Sequence, residues 1–74
     1  MNEHDFAVLT HTLPEYGLVA GDMGTVVHVY AGGRGYEVEF TTADGMTVAV
    51  VTLKPEDVRP FAKRDILHAR STSV

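Results

Sequence analysis

The sequence predicts an all-β fold, a small barrel of five short strands, and three observations carry that expectation. Seven glycines and three prolines cut the 74 residues into short β-branched runs, the punctuation of small sandwiches and barrels. Tyr36-Glu37-Val38-Glu39-Phe40 alternates without a break, so Tyr36, Val38 and Phe40 share one face and Glu37 and Glu39 the other. Lys54-Pro55-Glu56-Asp57-Val58 fits one short helical turn before a last strand. Proline suits a first helical position, and the two acids sit where the turn's unpaired amides lie.

Each element then follows in chain order. Phe6-Ala7-Val8-Leu9-Thr10 is too short and too β-branched for a helix and reads as the first strand. Leu13 through Gly24 is a long ordered loop with Leu18 tucked inward, because Pro14 holds Leu13 extended. Thr25-Val26-Val27-His28-Val29-Tyr30 is the second strand, and Gly32-Gly33-Arg34-Gly35 the hairpin loop after it. Tyr36–Phe40 is the third strand, with Ala43-Asp44-Gly45 as the next turn. Met46 through Leu53 is the fourth. It breaks the alternation: Val48 and Val50 point one way, and Ala49, Val51 and Leu53 the other. Val58-Arg59-Pro60 closes the order, its proline acceptable only at an edge or end. Residues 1–60 are thus the barrel, and 61–74 a C-terminal tail, a short helix or disordered, with a frayed end at Ser71-Thr72-Ser73.

Charge and composition exclude several functions. Ten acids against six bases give a net charge of -4, and the absence of cysteine removes disulfides, thiolate zinc sites and cysteine nucleophiles. Residues 1–60 hold nine acids and only Arg34, Lys54 and Arg59 as bases, while the tail carries Lys63, Arg64 and Arg70 against Asp65. An acidic barrel repels phosphate, which disfavours nucleic acid and anionic membranes. The Met-Asn-Glu-His-Asp start has no basic or apolar leader region, and Val48–Val51 is far shorter than the roughly 20 residues of a membrane span. A cytoplasmic location is expected.

The order of strand, long glycine-bearing loop, three hairpin-linked strands, helical turn and short strand resembles that of SH3-like barrels. Gly21-Asp22-Met23-Gly24-Thr25-Val26-Val27 resembles the opening of KOW-type strands. A closer resemblance is to the small bacterial family called domain of unknown function 4926. It rests on Phe6-Ala-Val-Leu-Thr, Leu13-Pro14-Glu15-x-Gly17-Leu18-x-x-Gly21-Asp22-x-Gly24-Thr25-Val26-Val27, Tyr36–Phe40 and Asp57-Val58-Arg59-Pro60. The resemblance implies the fold and no activity, and the tail lies outside it.

No constellation points to catalysis. His4, His11, His28 and His68 lack the spacing of a metal site; His28 shares a strand face with Val26 and Tyr30. Glu37 and Glu39 stand about 7 Å apart on an exposed strand, without the burial that would separate their pKa values for acid–base work. Ser71 and Ser73 sit in the tail, and the Gly32–Gly35 loop is followed by no helix to bind phosphate. Three tyrosines and no tryptophan are too few for a proline-rich peptide groove.

The expected core is Phe6, Val8, Leu18, Val27, Val29, Val38, Phe40, Val48, Val50 and Val58, with the register of strands two and four open by one residue. Strands two and four are apolar on both faces, more than one small interior can fill. Phe61 and Leu67 of the tail, a second copy or a partner should cover the surplus. The expectation is therefore a non-catalytic, cofactor-free protein-interaction module, either a docking subunit or an antitoxin- or immunity-like mask for a basic partner. Its candidate contact residues are Glu15, Tyr16, Tyr30, Arg34, Glu37 and Glu39. The alternative is a small KOW-like nucleic-acid-binding barrel that uses the basic tail.

Overall fold

A computed structural model describes residues 1–72. Five antiparallel strands form one open sheet in the order β4-β3-β2-β1-β5: β1 (Phe6–Leu9), β2 (Met23–Val29), β3 (Tyr36–Thr41), β4 (Thr47–Leu53) and β5 (Val58–Pro60). The all-β class and the five strands are as the sequence predicts, and β4 and β5 are the two edges. Helical structure among the described residues is confined to three 3-10 turns. One, Pro55–Asp57, is the turn expected before the last strand. Of the other two, Pro14–Tyr16 lies inside the segment read as a long loop, and Ala31–Gly33 begins one residue before the Gly32–Gly35 hairpin loop.

The interior is built by Ala7 and Leu9 from β1, Val26 from β2, Tyr36, Val38 and Phe40 from β3, Val51 and Leu53 from β4, Val58, and Leu18 from the long loop. Leu18 turns inward because its amide and carbonyl pair with Leu13 across the Pro14–Tyr16 turn. Gly24 makes the closest approach in the sheet. A Cβ there would lie 2.6 Å from Val38 Cγ1 and 2.8 Å from the Glu39 carbonyl oxygen, so only glycine lets β2 lie against β3 at that point.

Three expected core residues face outward. Val27 is exposed because the β2–β3 register shifts between Val26 and His28. The extra residue of this bulge reverses the alternation, so Val26 points inward before it and the half-buried Val29 after it. His28 consequently leaves the face of Val26. Val50 is 51% exposed because Val51 and Leu53 take the inward phase of β4. Phe6 lies outside because Ala7 and Leu9 take the inward positions of β1; its ring meets Phe61 edge-on, with centroids 6.2 Å apart. Val48 is half-buried beside a second register shift, between the Phe40 and Thr41 pairs. Val8 is buried outside the main cluster.

Residues 61–72 follow the body as irregular chain. Asp65 closes a turn by accepting the Ala62 amide at 2.6 Å, and both its oxygens take the Arg59 guanidinium at 2.8 and 2.9 Å. Phe61 shields Phe6 only in part, leaving it 52% exposed, and Leu67 is 71% exposed. Ser73 and Val74 lie outside the described residues.

Candidate functional site

The outward face of β2, β3 and β4 brings part of the predicted contact set together. Glu37 of β3 faces His28 of β2 on one side and Thr52 of β4 on the other, while Glu39 faces Thr25 and Val50. This placement follows from the period of β3, whose inward residues are buried and whose glutamates project from the opposite side.

Local hydrogen bonds hold the glutamates. The Tyr30 hydroxyl donates to Glu37 Oε1 at 3.0 Å, and the Thr52 hydroxyl donates to the same oxygen. The Thr47 hydroxyl donates to Glu39 Oε2 at 2.6 Å. The His28 ring stands edge-on to Tyr30, with centroids 4.8 Å apart. The Thr52 and Tyr30 hydroxyls hold the Glu37 carboxyl below its ordinary pKa by bonding its charged form. The Glu37 acceptor in turn raises the Tyr30 phenol. Glu37 therefore stays ionised throughout the neutral range. Val27 and Val50 add exposed apolar surface on these strands.

The remaining candidates lie elsewhere. Glu15 and Tyr16 occupy the 3-10 turn of the long loop, and Arg34 the hairpin loop after β2. All three are exposed, and no side-chain hydrogen bond joins them to the Tyr30–Glu37 pair.

Two further clusters escape sequence reading. His11 Nε2 lies 2.6 Å from Asp57 Oδ1, while Asp57 Oδ2 accepts the Lys54 amide at 2.9 Å. The bond to Asp57 raises the His11 pKa, and the same bond lowers that of Asp57. The second cluster lies where the long loop enters β2. Asp22 Oδ2 accepts the Val19 amide at 2.9 Å, and the carboxylate also receives the Arg70 guanidinium. Burial works against ionisation of Asp22, but the bonds from Arg70 and Val19 and the nearby positive charge outweigh it and lower its pKa. These partners are 46 and 48 residues apart, so no local motif announces them.

Among the described residues no charged side chain is fully buried. A family model described as "domain of unknown function (DUF4926)" matches residues 3–60. No curated protein and no solved structure matches.

Proposed function

The chain belongs to the family described as domain of unknown function 4926, and on that premise we propose a non-catalytic protein-interaction module whose outward sheet face docks a basic partner protein. One observation carries the reading: the half-buried Glu37 and Glu39 stand on the outward face, each bonded to a hydroxyl of a neighbouring strand, beside the exposed Tyr30 and Val50. Carboxylates already oriented have less side-chain freedom to lose on binding. The tyrosine and valine beside them supply the apolar contact that an interface core needs.

The strand order and the 3-10 turn before β5 support an SH3-like reading of the fold. The partner is a larger enzyme on which this chain docks as a small subunit, or a basic protein masked by the acidic face. A second copy is the other occupant this apolar and acidic surface suits. A cytoplasmic setting agrees with this role, and among the described residues no helix is long and apolar enough to cross a membrane. The basic tail supports nucleic-acid binding less well, because Arg70 is already bonded to Asp22.

Affinity capture from the native host's lysate tests the reading, with wild-type chain as bait and the Glu37→Lys/Glu39→Lys variant as control. The expected outcome is one protein held by wild type and lost by the variant. Nucleic acid recovered instead, and released steeply by salt, would favour the basic-tail reading.

A further inference from the structure

The Asp22 cluster has the geometry of a guanidinium cradle. Arg70 Nε donates to Asp22 Oδ1 at 2.8 Å, and one terminal nitrogen donates to Asp22 Oδ2 at 2.6 Å and to the Gly17 carbonyl at 2.7 Å. Three acceptors therefore meet one planar fork, an arrangement that a lysine ammonium cannot reproduce. The carboxylate is fixed from behind by the Val19 amide. His68 adds a wall: its ring lies against Gly21, where a side chain would stand, and its Nε2 is 3.2 Å from Asp22 Oδ1. The cradle opens into a cleft of about 740 Å³ lined by Phe6, Leu18, Phe40 and Val48 on one side and tail residues 68–72 on the other.

We propose that this cradle recognises an arginine-bearing extended segment of a partner protein, and that the chain's own residues 68–72 are its resident, displaceable occupant. Every acceptor of the cradle belongs to residues 3–60, the stretch matched by the family model, whereas the arginine it holds lies outside that stretch. The receptor is thus part of the shared domain, and the occupant is an appendage to it.

The tail's hold is also shallow. Between its two anchors, Asp65 on Arg59 and Arg70 on Asp22, Ile66 is 92% and Leu67 71% exposed. The linking segment gains no apolar burial there, so the far end is retained mainly by the polar tip, the kind of contact that opens locally at low cost. A tip on so short a tether faces its site at an effective concentration of order mM. It therefore masks a free ligand of similar intrinsic affinity while remaining exchangeable. The cleft borders the outward sheet face, since Glu39 and Thr25 also line it. The cradle's acceptors, Asp22 and the Gly17 carbonyl, are not part of that face and do not depend on it being the docking surface.

A labelled peptide of residues 61–72 is the probe, titrated by fluorescence anisotropy into the full-length chain and its Arg70→Gln variant. Vacating the cradle should strengthen peptide binding at least tenfold over wild type. Replacing the peptide's Arg70 by lysine keeps its charge and should weaken that binding about tenfold. Asp22→Asn in the Arg70→Gln background should do the same, and the lysine peptide keeps the test valid if that variant folds poorly. Equal binding to wild type and Arg70→Gln, equal binding of the arginine and lysine peptides, or no binding at all would overturn the proposal.

Discussion

The two acidic surfaces of this molecule use the same chemistry and differ in who occupies them. On the outward sheet face, the half-buried Glu37 and Glu39 are steadied by neighbouring hydroxyls. In the cradle, Asp22 is steadied by a backbone amide and filled by an arginine 48 residues away. A strand face becomes ordered through its cross-strand neighbours and stays open. A loop-borne carboxylate draws its order from the loop and from whatever cation closes over it. The open face suits a first encounter with a basic partner; the filled cradle admits a partner only by exchange.

The largest expected effect removes both surfaces at once. Leu9 is buried, and its amide and carbonyl bond to Asp22 and Gly21, so Leu9→Ala should cost about 2–5 kcal/mol in urea denaturation and loosen cradle and sheet together. Gly24→Ala tests the point where the two regions meet, since its Cβ would press on Val38 and on the Glu39 carbonyl. Overpacking there should cost about 1–3 kcal/mol, read by the same denaturation curves.

Asp22→Asn should separate the two regions. Asp22 is half-buried but its partner Arg70 is reached by solvent, so a loss of only about 1 kcal/mol is expected after allowance for screening. Limited proteolysis should then cut the tail faster while the sheet persists. The sign of its pH dependence follows from the lowered Asp22 pKa. The contribution is present above the ordinary carboxylate value of 3.8 and disappears as pH falls through the lower folded-state value. Wild type and variant should therefore converge in acid.

A smaller effect is expected at the His11–Asp57 bond, which involves neither Glu37 nor Asp22. The raised His11 pKa makes its contribution complete below 6.5 and lost as pH rises through the folded-state value. The lowered Asp57 pKa removes the contribution in acid, below 3.8. His11→Ala should flatten a shallow stability maximum between those limits in pH-scanned thermal melts. Smallest of all, Thr52→Val should leave the melting temperature essentially unchanged while weakening partner capture, because the exposed Thr52 acts on Glu37 of the docking face.

Legibility in the sequence followed the range of the interaction. The phase of β3 could be read directly because the alternation of Tyr36, Val38 and Phe40 is local and unbroken. The outward turn of Val27 could not, because a bulge is chosen by how β2 must meet β3, and the run Val26-Val27-His28-Val29 offers apolar residues in either phase. Val50 escaped for the same reason: with valines at 48, 50 and 51, the choice fell to the pairing of Val51 with Val38. The Tyr30–Glu37 pair was within reach, since the residues flank one hairpin. Asp22 was visible only as a turn residue, and nothing near Arg70 announces its partner.

The most direct test of the central claim is hydrogen–deuterium exchange on the full chain, with and without the protein it captures. Docking on the outward sheet face should protect residues 28–30, 36–41 and 47–53. Protection confined to the Asp22 loop and the tail, with β3 and β4 unchanged, would contradict that placement.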